Sequence, residues 1–157
     1  MHIFVQRLSI NHLNKLTMEA INTKIQELLK FNAIEPTYSS LRGRNKSTDP
    51  TDLDNIMKAQ ETLMKELKTL ARANKTLLGR TVKFQMADSH AVYVVTKVNA
   101  STVQVSWIKY CDAWQDDRLG VQGSLSKSYV QKTVDFTDWW ESETNPNKVK
   151  INQRENV

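Results

Sequence analysis

The sequence predicts an α+β protein in which helices come first and a small antiparallel β-barrel follows. Three observations predict it. Residues 78–134 hold several short strand patterns separated by turn residues, and residues 17–32 and 50–76 each carry an apolar seam at helical spacing. The composition, 39% hydrophobic and 25% charged over 157 residues, is that of one ordinary globular domain or two small ones. The expected organisation is a helical region at 1–77 with a basic loop at 39–48, a barrel at 78–136, and a polar, partly disordered tail at 137–157.

The first helix is read at 17–32, where Met18, Ile21, Ile25, Leu28 and Leu29 recur at three- and four-residue steps and Thr17 supplies a cap. The second is read at 50–76. Asp49 can cap it, Pro50 suits its first position, and Asp52 and Asp54 place negative charge at the positive end of the helix dipole. Its seam runs Leu53, Ile56, Leu63, Leu67 and Leu70 to Leu77, with Met57 and Met64 beside it and the polar Gln60 and Asn74 at core-type positions. At 1.5 Å per residue the second helix is about 40 Å long and the first about 24 Å, so one cannot cover the other. The seam therefore has two readings: a hairpin with the first helix helped by Ile3, Phe4, Val5, Leu8 or the barrel, or a coiled-coil-like contact with a second copy, for which polar seam residues set register.

The barrel opens at Gly79 to Phe84. Two runs rich in β-branched residues follow, Ala91 to Val98 and Thr102 to Tyr110, joined by the turn residues Asn99, Ala100 and Ser101. In the later run Val103, Val105 and Trp107 alternate with Gln104 and Ser106, the period of a sheet with one wet face. The segment Gly123-Ser124-Leu125-Ser126-Lys127-Ser128-Tyr129-Val130 resembles the closing segment of Src-homology-3-like barrels, with matches at Gly123, Leu125, Tyr129 and Val130. Ser126 stands where peptide-binding members carry Pro, and their acidic-aromatic opening strand is absent from Leu78 to Phe84. The resemblance covers about a third of the chain. It implies the barrel architecture and recognition through loops and exposed aromatics, here Tyr110, Trp114 and Tyr129, and it does not imply binding of proline-rich peptides.

Formal charge is +5, with its excess in residues 1–79, where 12 Lys and Arg face 8 Asp and Glu. That tolerates an anionic partner without the dense basic face of a typical nucleic-acid binder. Arg42, Arg44 and Lys46 in the basic loop could grip phosphates or serve only as a solvated connector. The single Cys111 excludes an internal disulfide and a Cys-rich zinc site. No apolar stretch approaches the roughly 20 residues of a membrane span, and the N-terminus lacks a secretory signal pattern, so the expected location is cytoplasmic and no membrane is expected as partner. The Asn-, Lys- and Thr-rich, Gly-poor composition resembles that of bacterial and phage proteins, which composition alone does not establish.

A search for chemistry returns little. There is no Gly-rich phosphate loop, His-Glu-x-x-His or nucleophile elbow. Asp88-Ser89-His90 are neighbours on a turn, where they do not aim at one another. Cys111 has no basic neighbour to activate it. Asp112, Asp116 and Asp117 lack the spacing of a calcium loop. No catalytic residue, metal or cofactor is expected, and the chain is read as a non-enzyme.

Two functions fit. In the first, the protein is an interaction or assembly module: the seam of Leu53, Ile56, Leu63, Leu67 and Leu70 oligomerises or docks, and Tyr110, Trp114, Tyr129 and Trp140 meet a protein partner. In the second, Arg42, Arg44, Lys46, Lys65, Lys68, Arg72 and Lys75 contact nucleic-acid phosphates while barrel aromatics stack on bases. Adjacent Trp139 and Trp140 cannot point the same way on regular structure, so at least one is expected to pack into the core.

Overall fold

A computed structural model describes residues 2–39, 47–86, 89–111 and 122–142, with the backbone alone for residues 2–14. The fold is α+β: two helices, then a curled antiparallel sheet, then a third helix. Helix α1 runs His2–Lys30, continues into a 3-10 turn at Phe31–Ala33, and is followed by α2 at Leu53–Ala73. The strands are β1 (Thr81–Met86), β2 (Ser89–Val98), β3 (Thr102–Trp107) and β4 (Gln122–Ser126), and α3 spans Lys127–Glu141. Among the described residues no helix is long and apolar enough to cross a membrane.

Helix α1 starts fifteen positions before the expected Thr17. Residues 2–16 contain neither Gly nor Pro, so nothing interrupts propagation from the strongly packed 21–28 segment. Helix α2 is shorter than the expected 50–76 at both ends. Its cap is Asp52, not Asp49: the Asp52 carboxylate accepts from the Asp54 amide at 3.0 Å and from Ser39 Oγ at 2.8 Å. Asp49 organises the preceding turn instead, accepting from the Thr51 amide and hydroxyl. These bonds hold its carboxyl below the usual range. At the other end Lys75, at φ 50°, closes the helix, and Asn74 donates its side-chain amide to the Leu70 carbonyl.

The helices run in opposite senses where they meet: Lys24 pairs with Glu66 at 2.6 Å, Ile21 and Leu67 both approach Gly79, and the Thr37 amide in the connecting segment donates to Thr51 O just before α2. Gly79 has φ +85°, and a Cβ there would stand 3.1 Å from Leu67 and 3.2 Å from Ile21, so both backbone and packing require glycine at this corner. Part of the seam is thus buried within the chain. Ile56 and Leu67 are fully buried, and Leu63 and Leu70 pack on the cluster of Ile21, Ile25, Leu28 and Leu67.

The sheet order is β1-β2-β3-β4, every neighbour antiparallel, with a bulge between Val95 and Lys97 that helps curl the sheet into a half-barrel. Strand β2 explains why its sequence does not alternate. Ala91, Tyr93 and Val95 face the concave core, while Val92 and Val94 pack against the helices. Both faces are buried, so both are apolar. Strand β3 carries the expected alternation, with Val103, Val105 and Trp107 buried in the concave core.

The segment Gly123 to Val130 divides between two elements. Residues through Ser126 belong to β4, and Ser126 then caps α3 by accepting the Tyr129 amide, which puts Tyr129 and Val130 on a helix. The expected boundary between barrel and tail at residue 136 falls inside this helix. Val130 and Val134, one turn apart, lock α3 onto the concave core.

Gln60 is the one seam residue that packing does not satisfy. It is fully buried, and neither side-chain polar atom has a partner. An unsatisfied buried amide costs about 1–3 kcal/mol, so Gln60→Met, which keeps the shape and removes the polar atoms, is expected to stabilise the fold by about 1 kcal/mol. A urea denaturation midpoint that falls would contradict this.

Candidate functional site

Helix α3 has two working faces. Val130 and Val134 point into the half-barrel, and the next part of the same side carries Asp138 and Glu141 toward α2. On the far side lie Tyr129, Phe136 seven residues on, and Trp139 and Trp140 three and four residues after Phe136, a helical stripe facing away from the core. All four are exposed, Tyr129 at 45%, Phe136 at 60% and both tryptophans at 44%. The last three rings pack on one another, with centroids 6.0–6.3 Å apart. Tyr129 stacks on Phe84 of β1 at 6.1 Å, and Phe84 meets Tyr93 edge to face at 5.8 Å. Exposed rings therefore stand at both ends of α3, those of Phe136, Trp139 and Trp140 at its C-terminal end and Tyr129 at the rim of the half-barrel.

An ion network holds this helix in place. Arg80, only 4% exposed, forks onto Asp138 with bonds of 2.7 and 3.0 Å. Arg72 adds two bonds to Asp138, at 2.9 and 2.7 Å, and one to Glu141 at 2.6 Å. Lys68 reaches both Glu141 oxygens at 3.2 Å. The Arg80 hydrogen bonds, then those of Arg72, hold the Asp138 carboxyl below its ordinary range. Arg72, then Lys68, does the same for Glu141. The cations beside the groove of about 500 Å3 between α2 and α3 are largely answered by these carboxylates.

The sequence-derived candidates separate accordingly. Tyr110 is buried: its hydroxyl donates to the Ile34 carbonyl at 2.7 Å and Lys109 lies over its ring, so it ties β3 to the helical layer. Tyr129 and Trp140 are on the exposed stripe. Trp114, Asp112, Asp116, Asp117, Asp88, Arg42, Arg44 and Lys46 lie outside the described residues. Of the helical cations, Lys68 and Arg72 pair with α3, and Lys65 pairs with Glu61 one turn away at 3.1 Å. Lys75 lines the groove. The expectation that one of the two tryptophans enters the core does not hold, because on a helix residues 139 and 140 are 100° apart and both fit within one broad outward face.

Phe84 and Phe136 were not singled out from the sequence, and Trp139 entered only as half of a pair with at least one member expected in the core. The signal was available: Ser126 as cap and Val130 with Val134 at a four-residue step mark a helix, and a helix brings positions 129, 136, 139 and 140 to one side. Among the described residues no group of three His, Cys, Asp or Glu side chains is placed to hold a metal ion. The Cys111 thiol donates to the Ile108 carbonyl. Comparisons with family models, curated proteins and solved structures give no match to this chain, so the functional reading stands on its own geometry.

Proposed function

We propose that this protein is a non-enzymatic interaction or assembly module, a small-barrel scaffold that presents the outer aromatic face of α3 to a protein partner. The observation that carries this reading is the stripe of Tyr129, Phe136, Trp139 and Trp140, four large rings left exposed on a helix whose opposite side is pinned by the Arg80 and Arg72 ion network. Aromatic residues on a rigid element are the usual anchors of protein interfaces, because they add contact area with little loss of side-chain freedom. The four-stranded half-barrel is loosely compatible with a small barrel, and α3 follows β4 directly. The helical pair α1 and α2 serves as a hairpin that braces the sheet. The nucleic-acid reading is weakened because Lys65, Lys68 and Arg72 already have carboxylate partners.

Purification from the natural host with in-cell cross-linking tests the proposal. A discrete protein partner that survives nuclease treatment is expected, and its capture should fall about tenfold or more in a Trp139→Ala, Trp140→Ala variant that melts at the unaltered temperature. Co-purifying material that nuclease removes, with capture unchanged in the variant, would overturn it.

A further inference from the structure

Strand β4 contains a glycine that the fold does not need. Gly123 does not have the positive φ that favours glycine, and a Cβ built there would meet only Val105 Cγ2, at the ordinary contact distance of 3.8 Å. Glycine inside a strand weakens it and marks places where another backbone or a ligand comes close. Space opens on both sides of this position. On the concave side lies a cavity of about 280 Å3 walled by Phe84 and Gln85 of β1, Tyr93 of β2, Val105 of β3, and Gln122 and Leu125 of β4. On the other side lies a more polar recess of about 350 Å3, lined by Thr96, Gln104, Ser106, Gln122 and Ser124.

Among the described residues no strand lies on the outer side of this edge. Strand β4 pairs with β3 in unbroken register and with no second strand among the described residues, and β1 pairs only with β2. Natural edges are usually blocked by charge, proline or a bulge. Gln122-Gly123-Ser124-Leu125-Ser126 has none of these.

We propose that β4 is a docking edge for an extended segment of a protein partner, which adds as a strand in the gap between β4 and β1 and seats an apolar side chain in the cavity beside Phe84, Tyr93 and Leu125. The chemistry of the site selects this occupant. A row of backbone donors and acceptors at strand spacing is matched by another strand, and alternate side chains of that strand point into the cavity. The cavity has room for one or two side chains, and Phe84, Tyr93, Val105 and Leu125 give it an apolar wall. The two surfaces meet where Tyr129 stacks on Phe84, but Trp139 and Trp140 lie outside the cavity lining and Gly123 and Ser124 lie outside the α3 stripe, so the two tests read different residues.

The test uses the full chain and an array of synthetic peptides of about nine residues, strand length, in which valine or leucine alternates with threonine. Binding of a subset is expected, weakened about tenfold or more by N-methylation along one edge of the peptide and by either Gly123→Val or Ser124→Lys in the protein. Gly123→Val fills open space with a strand-favouring residue, so its melting temperature should be unchanged or raised. Absence of binding by every peptide overturns the proposal, as does binding insensitive to N-methylation and to both substitutions. A concentration-dependent dimer that Ser124→Lys converts to monomer would overturn it in favour of a second copy at this edge.

Discussion

Replacing Leu67 by Asp is expected to unfold the protein, not to release a monomer from an oligomer. Leu67 is fully buried, packed with Ile21, Ile25 and Leu28 of α1 and standing 3.1 Å from the place a Cβ would occupy on Gly79. Truncating a leucine in such a site costs about 2–5 kcal/mol, and leaving a carboxylate there adds several more. Domains of this size have about 5–15 kcal/mol in total, so the loss is comparable to the whole stability. Circular dichroism should show the native signal lost at room temperature. A variant that keeps its helical signal and sediments at half the mass of the unaltered protein would instead return the seam to an interface between copies.

Asp138→Ala is expected to cost about 3 kcal/mol. The physical reason lies in Arg80, which is almost wholly buried and has both prongs of its guanidinium on this one carboxylate. Breaking a buried pair by removing one partner costs about 3–5 kcal/mol, and the 35% exposure of the Asp138 side chain places the effect at the lower end. The same network predicts the acid response. Asp138 and Glu141 both titrate below their ordinary values when folded, so their stabilisation is complete above the ordinary carboxylate range and is lost as pH falls through it toward the folded values. Urea midpoints measured between about pH 6 and about pH 3 should therefore fall less steeply in Asp138→Ala than in the unaltered protein. Equal slopes would show that the pairing seen here contributes little to acid stability.

Local chemistry was enough for the order of elements through β3, while helix α3 was expected as barrel and tail. Val103, Val105 and Trp107 announced a strand with one wet face, and Asn99 to Ser101 announced the turn before it, because alternation and turn chemistry act over a few neighbouring residues. The apolar seam of α2 was equally legible as a helix. What covers that seam was not, because an apolar stripe records the need for burial and not the identity of the surface that meets it. Only the folded chain placed Ile21, Ile25 and Leu28 against Leu67, which answers for that part of the seam. The same distinction governs α3. Its cap at Ser126 and its pair Val130 and Val134 are local signals, yet whether Trp139 and Trp140 face inward or outward depends on which side of the helix Arg72 and Arg80 capture. Those arginines lie 66 and 58 residues upstream of Asp138 in the chain, a separation across which no sequence period operates.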